Sequence, residues 1–272
     1  MDRIARIRAR ATRSQIVILR SVMRHVRDQN WVAVGLDFLI VVVGVFIGIQ
    51  VSNWNEARVA AEREALLVLE LRAEVERNAA FSQSLGEGLL VGAAAARRLL
   101  RMASSDQRPC EEDCWPVIVD LMHASQWQQQ FHQWTTYEEL RRAGLPSDRR
   151  IIDAVETFQE AGHRAAQSLE RPPVYRTLVR RLIPIDLQDA YWQACFVDEG
   201  GTEAYVYPCQ RPAAAPSIDA ELIVLILGDR ELMNALREWT SVARLIGSGF
   251  VNVQQSLAEQ AIASIDASGV RP

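Results

Sequence analysis

Between Trp31 and Val51 the mixing of apolar and polar positions seen elsewhere along the chain stops. These 21 residues hold one charge, Asp37, and one amide, Gln50, and fourteen of them are Leu, Ile, Val or Phe. As a helix, at about 1.5 Å rise per residue, the run is about 31 Å long, the thickness of a hydrocarbon core. Its apolar side chains favour insertion by roughly 6 kcal/mol together, against about 3 kcal/mol for a central aspartate, so insertion prevails. Trp31 and Trp54 stand at its ends as interface anchors. The pattern predicts a mainly α protein in three parts: a basic tail at 1–30, a transmembrane helix at 31–52, and a domain at 53–272. The rivals are a buried core helix, a cleaved signal peptide and a mitochondrial presequence. The length of the run, its flanking tryptophans and the lack of a cleavage site close behind it disfavour all three.

Downstream the periodicity becomes helical. From Glu56 to about Ala103 there is no proline, and Leu67, Leu71, Val75, Asn78 and Leu85 recur at three-to-four spacing. Leu66, Val68 and Leu69 widen that face beyond a two-stranded coiled-coil seam. A long membrane-proximal helix is expected, with Gly86, Gly88 and Gly92 as places where it bends or breaks. Further helices are expected over 115–128, over 135–142 with Thr135 and Glu138 as a capping box and Gly144 as the stop, and from Ser147 or Asp148 to about Glu170. Shorter ones cover 175–182 and 187–194, and two more, 218–227 and 229–266, close the chain. Alternating apolar residues between Cys195 and Cys209 suggest one small β-hairpin about Asp198–Thr202. The fold class is therefore one transmembrane helix, a long helix behind it, and a bundle-like helical domain with one hairpin. Asp148–Phe158 echoes Asp229–Trp239, a likeness that duplication and convergence on a capped amphipathic helix explain equally well.

Charge adds orientation. The net charge of -4 divides into eight Arg and two Asp within residues 1–30, and 22 Arg against 32 acidic residues thereafter, with no Lys anywhere. The positive-inside rule places the tail in the cytoplasm and the domain outside. Ile4, Ile7, Ile16, Leu19, Met23 and Val26 are spaced for a helix lying on the inner leaflet, and a disordered basic arm is the equal alternative. An acidic body argues against nucleic acid as a partner; the lipid bilayer is the expected one.

Inside the anchor, Gly44 and Gly48 form a Gly-x-x-x-Gly pair, which is either a close-packing face for a second helix or a tolerated pair of small residues facing lipid. Asp37 either reaches interfacial water or an arginine of the tail, or engages a partner helix. The stretch Leu36–Glu56, with an acidic residue opening an apolar glycine-containing run that closes in Gln50-Val-Ser-Asn-Trp-Asn-Glu56, resembles a family of uncharacterised bacterial single-pass membrane proteins. Tyr137–Leu145 loosely follows a further pattern of that family. The resemblance implies a bacterial inner-membrane protein with a helical periplasmic body. It carries no catalytic residues over.

All four cysteines, Cys110, Cys114, Cys195 and Cys209, follow the anchor, as an exported domain with disulfides requires. Local pairing, Cys110 with Cys114 and Cys195 with Cys209, is expected, because the spacings lack the Cys-x-x-Cys knuckles of zinc sites. His123, His132 and His163 show no metal signature, and no nucleophile elbow, phosphate loop or dinucleotide fingerprint is present. No cofactor is expected. Trp127, Phe131, Trp134 and Tyr137, set among glutamines, read as core or, less simply, as a carbohydrate- or peptide-binding surface. The leading expectation is a membrane-tethered interaction or scaffolding protein that self-associates or binds another membrane protein. A sensor acting through a partner and a periplasmic hydrolase are the alternatives.

Overall fold

Proline is missing from Glu56 to Ala103, and good helix formers fill that stretch, so nothing local interrupts a helix that starts in the apolar run. In the computed structural model, which describes residues 31–111, 113–198 and 203–269, α1 is a single helix of 73 residues, Trp31–Ala103. The basic tail at 1–30 and the hairpin tip at 199–202 lie outside the described residues. By its contacts the chain divides into two compact units, Met1–Glu62 and Arg63–Pro272.

In the first unit, α1 contains the one described helix long and apolar enough to cross a membrane, and none of its most apolar window is buried. Phe38, Phe46, Ile47 and Val51 are all more than half exposed, which a core helix of a soluble protein would not be.

The second unit is a mainly helical bundle. After the 110–114 disulfide loop come α2 (Trp115–Ala124), α3 (Thr135–Arg142), α4 (Arg149–Ser168), α5 (Val174–Leu182) and α6 (Ile185–Cys195). Strands β1 (Phe196–Asp198) and β2 (Glu203–Tyr205) pair antiparallel with Phe196 opposite Tyr205. Helices α7 (Ala220–Gly228), α8 (Arg230–Arg244) and α9 (Val251–Ala267) follow. Cys110 bonds Cys114 and Cys195 bonds Cys209, so both expected pairs form and the second ties the hairpin ends together. Closing a loop of 14 residues there removes roughly 3 kcal/mol of unfolded-chain entropy.

Several sequence expectations are corrected, and the helix expected over 115–128 ends at Ala124. Gly86, Gly88 and Gly92 do not break α1; each lets a neighbour approach it. A Cβ on Gly86 would lie 2.8 Å from a Val251 methyl and 3.1 Å from the Gly247 carbonyl, and one on Gly92 would lie 3.0 Å from the His123 carbonyl. The expected helix 229–266 is divided by a π-helical turn, Leu245–Phe250, whose Gly247 sits against the Gly86 carbonyl. Thr135 and Glu138 form no capping box. Trp134 is the N-cap of α3 without a side-chain cap bond, and the buried Glu74 of α1 accepts the Thr136 and Tyr137 N–H groups at 2.8 and 3.0 Å. A carboxylate supplied across the bundle does the capping, and it meets the positive end of the helix dipole as well. By contrast Asp148 and Asp229 cap α4 and α8 as their sequences suggest, and Gly144 ends α3 at φ 74°.

The apolar side chains gather in two clusters. One joins Leu67, Leu71 and Val75 of α1 to Trp134, Tyr137, α4 and α9. The larger joins Leu85, Leu89 and Leu99 to α2, α5, α6, α7 and α8. Leu66, expected to widen the buried face, is exposed.

Two measurements check this description. Intact mass should rise by the four hydrogens of two reduced disulfides on reductant, with no free thiol beforehand. Gly86→Ala should lower stability by about 1–2 kcal/mol in denaturant melts, because overpacking against Val251 outweighs the better helix propensity of alanine.

Candidate functional site

Between the two apolar clusters, α1 carries Asn78 and Ser82 where spacing calls for core residues, and a set of buried polar groups answers them. The Asn78 amide exchanges two hydrogen bonds with the Gln133 backbone, at 2.7 and 3.0 Å. Ser82 Oγ lies 2.7 Å from His132 Nε2 and 2.8 Å from Gln254 Oε1 of α9. Gln130 Nε2 reaches Gln254 Oε1 at 2.6 Å, His132 Nε2 at 3.0 Å and Ser82 Oγ at 3.2 Å. The network ties α1, the irregular 126–134 segment and α9 together, and Gln130 Oε1 and Gln254 Nε2 remain buried in it with no hydrogen-bond partner.

His132 Nε2 faces the Gln130 amide nitrogen at 3.0 Å, a group that can only donate, so Nε2 accepts and the neutral ring carries its proton on Nδ1. Burial holds the imidazole neutral, pushing its pKa from 6.5 down to about 4. The ring lies over Gly162 of α4, where a Cβ would overlap Nδ1, and makes a tilted contact with Phe158 at 5.3 Å.

Beside this network opens a cleft of about 230 Å³ lined by Gln130, Phe131, His132, Trp134, Gln159 and His163, with Gly162 and Ala166 beneath. None of these residues carries a carboxylate or a guanidinium. A second hollow, of about 320 Å³, lies between the segment after α1 and α7. It is rimmed by Asp106 and Arg108 and floored by Met102, Val224 and Leu227.

Of the residues singled out from sequence, Phe131, His132, Trp134 and His163 line this cleft and the others fall elsewhere. Gly44 and Gly48 have nothing within 4 Å of a built Cβ, Asp37 and Gln50 are exposed, and Trp54 is 69% exposed. Trp31 opens α1. The four cysteines are consumed in structural disulfides. The aromatic group is split: Trp127 packs against the larger cluster, Trp134 and Tyr137 meet edge to face at 6.2 Å in the smaller one, and Phe131 stays 63% exposed. His123 is buried against Tyr191, bonded to the Val119 carbonyl at 2.9 Å, with its pKa lowered by burial. His132 and His163, scattered in sequence, share the cleft. The run of glutamines and aromatics at 126–134 was the one local signal for it.

Ser82 and His132 do not make a hydrolytic pair. The hydroxyl is fully buried and engaged by Gln254, and the imidazole is too weak a base near neutral pH. Among the described residues no cluster of three or more His, Cys, Asp or Glu could hold a metal ion. The chain matches no family model, no curated protein and no solved structure.

A histidine harder to protonate in the folded chain leaves the unfolded chain binding more protons between pH 6.5 and about 4. Stability from this group is full above that window and lost as pH falls through it, by roughly 3 kcal/mol. His132→Gln should flatten the pH dependence of unfolding between 6.5 and 4 relative to the wild type; parallel curves would contradict it.

Proposed function

We propose that this chain is a membrane-anchored scaffold or interaction protein of the bacterial envelope, held by one span, with its tail in the cytoplasm, its disulfide-bonded domain in the periplasm and a second copy of itself as partner. Support for the span comes from the length, composition and exposure of the first part of α1. Orientation rests on the eight arginines of residues 1–30. Two disulfides behind the anchor suit an oxidising compartment. The resemblance of Leu36–Glu56 to a family of bacterial single-pass membrane proteins points the same way.

The observation that carries self-association is a matter of helix phase. At about 100° per residue, Asp37, Gly44, Gly48 and Ser52 fall within one quarter of the α1 circumference, and Gln50 falls outside it. Two glycines four apart expose backbone for a close crossing, and a second copy would bring its own Asp37 and Ser52 to the same seam. A lipid-facing aspartate is costly, whereas one shared between helices finds a partner. A coiled-coil continuation of the seam beyond Ser52 belongs to the same proposal.

Crosslinking of the full chain in native membranes tests it. The wild type should give a dimer band, and Gly44→Ile with Gly48→Ile should reduce it roughly tenfold, about 1.4 kcal/mol. Only monomer in the wild type, or an undiminished dimer in the double variant and in Asp37→Asn, would sink the reading.

A further inference from the structure

The cleft between the 126–134 segment and α4 is a half-open hydrogen-bonding site, without a carboxylate or guanidinium in its lining and with one aromatic ring exposed at its rim. Every ionisable group that lines it is an imidazole. His132 is neutral, and His163 lies 3.1 Å from the Gln167 amide. An anionic or cationic ligand would find no counter-charge there and would leave its own water without compensation. What the cleft lining offers instead is the neutral His132 imidazole, the half-buried Gln159 amide and the side chain of Gln130. Phe131, 63% exposed, presents a ring to whatever enters.

We propose that this cleft binds a single neutral pyranose ring, such as one sugar unit of an envelope polysaccharide. Adjacent sugar hydroxyls each donate and accept, which suits planar amides and a neutral imidazole. The apolar C–H face of the ring suits stacking on an aromatic side chain. The cleft's volume of about 230 Å³ admits one ring. The site lies wholly within residues 63–272 and is independent of whether the anchor self-associates.

Saturation-transfer NMR on the full chain in lipid nanodiscs, free of sugar detergents, tests this with glucose and N-acetylglucosamine as probes. At least one of them should receive saturation with a Kd on the order of 1 mM, the strength expected of a ligand this small. Phe131→Ala, at an exposed position, should weaken that binding roughly fivefold without lowering the melting temperature. Gln159→Ala provides the same comparison should the first variant lose stability. No transfer to either sugar at about ten times that Kd, or equal transfer in a folded variant, overturns the proposal. So does preferential transfer to a neutral capped dipeptide, N-acetyl-alanyl-glutamine amide, which would make the cleft a peptide site.

Discussion

The second unit depends on one wall. Residues 67–99 of α1 contribute to both apolar clusters, and the helices of each cluster pack on that helix as well as on one another. Leu71, Val75, Ala95 and Leu99 are fully buried, and burying a side chain of leucine size contributes about 1.5–3 kcal/mol. Polar links run along the same wall. Glu64 holds the Ser147 N–H at 2.6 Å, Glu74 caps α3, Arg72 pairs with Asp266 at 2.9 Å, and Arg98 grips the buried Asp120 through two bonds of 2.6 and 2.8 Å. Continuity of α1 is therefore a condition of the fold. A kink at Gly86 or Gly92 would pull the caps of one cluster out of register with the apolar face of the other.

The polar seam at Ser82 carries a cost that the apolar clusters do not. Asn78, Ser82, Gln130 and Gln254 are desolvated together, and two of their polar atoms end without partners. An all-apolar seam would be at least as stable, and it would also be permissive, since apolar side chains accept many registers. Directional bonds from α1 to the 126–134 segment and to α9 admit one register only. They also explain how a stretch without regular structure, Gln126 to Gln133, holds its shape well enough to wall a cleft. The Asn78–Gln133 pair and the Ser82–His132–Gln130 contacts fix it at closely spaced points.

How much of this was legible depended on whether the determining contact is local. Asp148, Asp229 and Gly144 were readable because a cap or stop is settled within a few residues. The cysteine pairs were readable for a similar reason, with partners four and 14 residues apart. The α3 cap was misread because its acceptor, Glu74, lies 62 residues before the N–H that it binds. Gly86 and Gly92 were misread as breakers because a glycine that weakens a helix and one that admits a neighbour look identical until the neighbour, Val251 or the His123 carbonyl, is known. The cleft was legible in part. Its 130–134 wall stood out as an odd run of aromatic and amide residues, but Gln159, Gly162 and His163 sit on an amphipathic helix of ordinary appearance. Only packing joins the two.

Within α1 the two stretches call for different solvents, and this bears most on how the protein works. From 67 to 99, apolar residues recur at helical period and most of them, though not Leu90, are covered by the bundle. From 32 to 51 they surround the helix, and all fourteen Leu, Ile, Val and Phe side chains are exposed. Fourteen exposed aliphatic and aromatic side chains cannot stay in water without driving association, so lipid, a second helix or both must cover them. Lipid suits these fourteen, but not Asp37 or Gln50 on the same stretch. In the proposed dimer, a second copy crossing at Gly44 and Gly48 would let two Asp37 carboxyls share a proton in one hydrogen-bonded pair, leaving the rest of the circumference to lipid. Asp37, the one charge on the apolar surface, is thus the residue that lipid alone leaves most costly, whatever the cleft in the second unit binds.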